Sequence, residues 1–267
     1  MQVLQADDYR YGLNLLKKYS EISIISYVLE VISSIFLAPY TMLLYSLTAY
    51  ATSQHILEEI MASLQRYLVL SVIGGVLALV GFVLGLIAIL FYLIPSAGRL
   101  AKWSSTLSTP SKLLKYGYYA GFIFGAISAA LIILAVITSN GTTPLPGMIV
   151  KQPGAREGYQ GLLVIIILGL VVTLLVMGLG ILLGWVGTIM FLLELGSLTK
   201  EGLFEAVAIL DVLSSGLSLV NIRVRPPYAN PVAIILFLML FPAIRLTTLL
   251  LLRKATLKVL SVEAVQP

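Results

Sequence analysis

The chain contains no cysteine and a single histidine, His55. Disulfides, thiolate-held zinc and iron–sulfur clusters are thereby excluded, as is haem held by two histidines of one chain. Charge is scarce too: Asp, Glu, Lys and Arg make up 11% of the 267 residues, where a soluble domain carries about a quarter. Also missing are the G-x-x-x-x-G-K-[ST], H-E-x-x-H and G-x-S-x-G patterns of nucleotide-binding loops, zinc proteases and serine hydrolases. No lysine falls inside a long apolar run, which argues against a retinal-type Schiff base. The N-terminal MQVLQADDYRYG lacks a short apolar core with a small-residue cleavage site, so no removed signal peptide is expected. These absences point away from an enzyme and from any cofactor.

What is abundant is apolar surface. Hydrophobic residues make up 59% of the chain, the mean hydropathy is +1.02, and several runs reach the roughly twenty residues that cross a bilayer core as helix. Backbone groups in lipid must be satisfied internally, which leaves helices or a closed barrel. Runs such as 162–183 do not alternate as barrel strands do. The expectation is an all-α, polytopic transmembrane bundle of one domain, with six spans at 22–48, 68–94, 117–138, 162–193, 203–220 and 231–252. Glu205 and Asp211 make the fifth the weakest, an interfacial helix being the competing reading, and Pro39 predicts a kink or break in the first.

Basic residues set the threading. With the N-terminus inside, the inner segments hold Arg10, Lys17, Lys18, Arg99, Lys102, Lys112, Lys115, Lys200, Arg253, Lys254 and Lys258; the outer ones hold Arg66, Lys151, Arg156, Arg223 and Arg225. This bias places both termini in the cytoplasm of a multi-pass cell-membrane protein and accounts for the net charge of +5 without a nucleic-acid partner. The polar, proline-broken NGTTPLPGMIVKQPGAREGYQG at 140–161 then lies outside, as a connecting loop or a contact surface for a partner. Its Asn140-Gly141-Thr142 matches a glycosylation acceptor. Tyr9, Tyr11, Tyr19, Trp103, Tyr116, Tyr118 and Tyr119 sit at predicted boundaries. GRLAKWSSTLSTPSKLLK reads either as an amphipathic helix on the inner leaflet or as a basic loop.

Small residues mark helix contacts. Gly117, Gly121, Gly125 and Ala129 recur every fourth residue on the third span, with Gly81/Gly85 and Gly180/Gly184 repeating the motif on the second and fourth. Such a face serves packing within one chain or a seam between copies. GFVLGLIAILFYLI and GILLGWVGTIMFLL align without gaps, which raises an internal duplication. His55, Glu58 and Glu59 share a helical face, yet a metal site needs further ligands.

Intramembrane polar residues carry the functional expectation. Ser23, Ser26, Glu30 and Ser33/Ser34 form one stripe, and Asp211, Ser215 and Ser218 another. Each faces the bundle interior or water, lining an ion or solute path or bonding helix to helix. Counting 1.5 Å per residue puts Arg245 about 5 Å and Glu30 about 8 Å on the cytoplasmic side of the midplane. Glu30 is therefore the first-choice partner for Arg245, and Asp211 the alternate.

YGLNLLKK, the LGLIAILFYL helix and GWVGTIMFLLELGSLTKEGLFEAVAIL together resemble an uncharacterised family of archaeal multi-pass membrane proteins. The final helix, with Pro242 and Arg245, departs from that pattern. The resemblance implies a cell-membrane location and no assigned activity. The function expected is a non-catalytic accessory or scaffold subunit in contact with the bilayer and with other membrane subunits or further copies of itself. The alternative is a small-solute or ion transporter or channel whose path is lined by Glu30, Asp211 and Arg245.

Overall fold

The structure, a computed structural model, describes residues 2–50, 54–140, 155–221 and 231–263, and every element among them is helical. The helices are α1 (Gln2–Tyr50), α2 (Gln54–Ile87), α3 (Ile94–Trp103), α4 (Ser108–Asn140), α5 (Ala155–Thr199), α6 (Gly202–Asn221) and α7 (Pro231–Glu263). Four stretches are long and apolar enough to cross a membrane: Ala6–Tyr40, Gln65–Trp103, Ser105–Ile137 and Ile165–Thr199. The chain is thus an all-α membrane protein. The fifth and sixth expected spans are helices, α6 and α7, but neither is among these four.

Helix ends and hydropathic ends differ. Apolar content begins at Ile22, yet α1 starts at Gln2, because a helix satisfies its own backbone in water as well as in lipid. Of the kink or break expected at Pro39, the break does not occur: α1 continues through it. The helix that carries α2 runs on into α3 through a π-helical turn, Ala88–Leu93, in which the Ile94 N–H reaches the Ile89 carbonyl. Pro95 explains the wide turn: it has no N–H to donate, and its ring crowds the carbonyl four residues back.

The basic stretch around Trp103 is neither one amphipathic helix nor an open loop. Ser104 is extended (φ −133°, ψ 126°) and closes α3, a 3-10 turn covers Ser105–Leu107, and α4 starts at once. Pro110, in the first turn of α4, needs no N–H partner there.

Contacts gather the chain into two compact units, Met1–Leu107 with Leu192–Pro267, and Ser108–Phe191. In the first, α1 lies antiparallel to α2 and α3, and α7 contacts both α1 and α6. Ser26 Oγ donates to the Gly81 carbonyl and Ser33 Oγ to that of Gly74, each at 2.8 Å, seven residues apart on both helices. Ser96 Oγ of α3 donates to the Gly12 carbonyl at 2.8 Å. Leu13, Leu16, Leu93, Leu100, Phe204 and Val207 fill this unit's core.

The second unit is a two-helix seam built on glycine. A Cβ on Gly117 would lie 2.2 Å from the Gly184 nitrogen, one on Gly180 2.6 Å from the Gly121 nitrogen, and one on Gly187 2.4 Å from the Leu114 nitrogen. Backbone therefore touches backbone, and the glycines face each other within one chain. Gly125 differs, since its nearest neighbour is the flexible Met177 sulfur at 3.3 Å. Ser128 Oγ donates to Thr173 Oγ1 at 2.8 Å across the same seam.

Candidate functional site: charged groups within the helices

Asp211 is placed by the inward face of α6, where Val207, Ala208 and Ser214 are buried at helical spacing around it. Arg245 lies on α7 at the head of a similar face formed by Thr248, Leu249, Leu252, Ala255 and Thr256. The Arg245 guanidinium donates through Nη1 to Asp211 Oδ1. The Asp211 side chain is 11% exposed and that of Arg245 33%, so the carboxylate is held inside and the guanidinium remains partly reachable. Ser214 Oγ donates to the Asp211 backbone carbonyl at 3.0 Å.

Glu30 is not the partner of Arg245; the expected first choice gives way to the alternate. Glu30 is exposed, and among the described residues it forms no ion pair. Its stem lies over Gly81, whose added Cβ would sit 3.2 Å from the Glu30 Cγ. Tyr27 lies within electrostatic reach of both Arg245 and Glu30, so the three share one neighbourhood. Equal depth along two helices is a condition for pairing, but it says nothing of the direction in which each side chain leaves its helix.

The serine stripe of α1 divides accordingly. Ser26 and Ser33 are buried and bonded to α2, while Ser34 turns back to the Glu30 carbonyl at 2.8 Å on an exposed surface. Gly81 and Gly85, expected at a helix contact, lie beside Ser26: its carbonyl is 3.1 Å from a Cβ on Gly81 and its Oγ 3.2 Å from one on Gly85.

Three further ion pairs escaped the sequence. Arg99 binds Asp8 at 2.8 Å and lies 5.2 Å from the Tyr11 ring centroid; Arg253 binds Glu21 at 3.3 Å; Lys258 binds Glu201 at 2.7 Å. Tyr9 and Trp103 sit with ring centroids 4.3 Å apart, so two residues read as separate headgroup anchors contact each other. Asp7, Asp8, Arg10, Tyr11, Asn14 and Arg99 line an open recess of about 500 Å³ whose two acids and two bases balance.

No group of three metal-ligating side chains occurs among the described residues. The side chains of His55, Glu58, Glu59 and Ser218 lie outside them, as does 141–154, the greater part of the expected outer loop. Chemically, the site neutralises one charge with another between two helices and leaves a carboxylate on the adjoining surface. Comparison with known proteins finds no matching family model, no similar curated protein and no similar solved structure.

Proposed function

We propose that the chain is a non-catalytic, multi-pass protein of the cell membrane that serves as an accessory or scaffold subunit of a membrane assembly. The observation that carries this reading is the use made of its polar groups. Asp211 and Arg245 neutralise one another, and Ser26 and Ser33 give their hydroxyls to α2 carbonyls. Groups that an ion path would offer to its cargo are thus taken up in fastening helices.

Six crossings with both termini in the cytoplasm belong to the same proposal, together with membership of the archaeal family that the sequence resembles. The basic-residue bias supports the threading. So do two ion pairs: Glu21 and Arg253 flank the first and last expected spans, and Asp8 and Arg99 flank the first and second. An even number of crossings brings each such pair to one side of the membrane.

Purification in mild detergent, with mass read by light scattering, should recover the chain in an assembly with other subunits. Solute or ion flux through the isolated chain in liposomes would overturn the reading in favour of transport. Cysteines introduced at Ser139 and Ser261 into this cysteine-free chain should label from opposite sides, and labelling of both from outside would refute the threading.

A further inference from the structure

The recess beside the first turns of α1 is built from one helix face and one facing arginine. Asp7, Arg10, Tyr11 and Asn14 recur at helical spacing and share a face of α1, and Arg99 of α3 stands across from them. Close packing holds that wall in place: Ser96 Oγ donates to the Gly12 carbonyl at 2.8 Å, and a Cβ on Gly12 would lie 3.4 Å from the Arg99 Cβ. Its four charges are unequally used. Asp8 and Arg99 bind each other, whereas Asp7 and Arg10 are exposed and form no ion pair among the described residues. Side chains three residues apart on a helix have Cβ atoms about 5–6 Å apart. An acid and a base are thus presented side by side with neither neutralised.

We propose that this recess holds the zwitterionic headgroup of a phospholipid that carries a primary ammonium, as phosphoethanolamine does, with phosphate on Arg10 and Arg99 and ammonium on Asp7. A lone anion would face two carboxylates and a lone cation two guanidinium groups, but a zwitterion satisfies both signs. Arg99 reaches Asp8 through Nη1, and a guanidinium has further donors to give a phosphate. A quaternary ammonium suits the site less. It has no N–H for the Asp7 carboxylate, and the aromatic face it would favour, that of Tyr11, already lies 5.2 Å from the Arg99 guanidinium. The level in the membrane agrees. Arg99 follows the end of the apolar run at Ile94 by five residues, about 7.5 Å of rise, and the headgroup layer is roughly 5–7.5 Å deep on each side of the hydrocarbon. Tyr9, Tyr11 and Trp103 stand at the same end of the helices, where such side chains favour headgroups. The site is independent of the accessory-subunit reading.

The test uses the full chain, purified in mild detergent, stripped of lipid and offered dioleoyl lipids, with retained lipid counted by native mass spectrometry. The chain should retain phosphatidylethanolamine at least fivefold over phosphatidylcholine. Asp7→Asn should erase that preference, Asp7→Glu should keep it, and Arg10→Gln should weaken retention of both lipids alike. Equal retention of the two lipids by the natural chain would overturn the inference, as would a preference that survives in Asp7→Asn or vanishes in Asp7→Glu. Glycerophosphoethanolamine, the same headgroup without acyl chains, should displace the lipid only in at least hundredfold excess. Displacement at equal concentration would assign the recess to a soluble zwitterion and overturn the membrane source.

Discussion

Replacing Gly117 by alanine puts a methyl where the Gly184 nitrogen stands 2.2 Å away, with the Gly184 Cα at 2.7 Å. Both neighbours are backbone, so no side chain can swing aside. Restoring even a tight 3.4 Å contact moves α4 and α5 apart by about 1.2 Å, the difference between those two distances. Overpacking of this kind costs about 1–3 kcal/mol. The same separation stretches the Ser128–Thr173 bond from 2.8 Å out of hydrogen-bonding range, adding about 0.6 kcal/mol, the average for such bonds between membrane helices. The expected total is about 2–4 kcal/mol. Two controls make the argument sharp. At Gly125 a methyl meets only the movable Met177 sulfur at 3.3 Å, and at Gly178 it meets nothing within 4 Å. Gly125→Ala should cost under about 1 kcal/mol, and Gly178→Ala should gain up to about 1 kcal/mol from helix propensity. Unfolding titrated with dodecyl sulfate and followed by Trp185 fluorescence gives the order directly. If Gly117→Ala unfolds at the same detergent fraction as Gly178→Ala, backbone contact does not hold this seam.

Two other outcomes follow from single contacts. In a double-mutant cycle, Asp211→Asn and Arg245→Gln should couple by about 1–3 kcal/mol, below the 3–5 kcal/mol for breaking a fully buried pair because a third of the Arg245 side chain is exposed; Glu30→Gln and Arg245→Gln should be additive. Lys200 has φ 54° at the corner between α5 and α6, where the Glu201 N–H closes onto the Gly196 carbonyl at 3.2 Å. Glycine is the residue that corner favours, so Lys200→Gly should raise stability by about 0.5–1 kcal/mol in a thermal melt, and a loss would contradict the capping argument.

Much of this molecule could be read from its sequence, and the failures share a cause. Apolar runs located the helices because lipid contact leaves a compositional mark. The four-residue glycine spacing located Gly117, Gly121, Gly180 and Gly184, because repeating small side chains at that interval clears one helix face. Gly187 and Gly74 escaped, although both sit at close approaches, because Gly187 follows Gly184 by three residues and Gly74 precedes Gly81 by seven. The partner of Arg245 was misjudged because rise per residue fixes height and leaves azimuth open, and azimuth comes only from what each helix packs against. The pairs made by Asp8, Glu21 and Glu201 escaped for another reason. They lie beyond the apolar runs, where hydropathy has nothing left to report although the helices continue.

The π-helical turn before Pro95 has a consequence for how this sequence can change length. Between the Ser26–Gly81 and Gly12–Ser96 contacts, α1 covers fourteen residues and its partner fifteen. A wider turn holds one residue more without adding a turn, so the surplus is absorbed between Ala88 and Leu93. The two contacts consequently stay on one flank of α1 although the chains between them are unequal. Loss of one codon here would narrow the turn and leave both contacts facing α1, with the Pro95 ring pressed against a tighter helix. The same loss in the seven-residue interval between Gly74 and Gly81 would turn one of those glycines away from its serine.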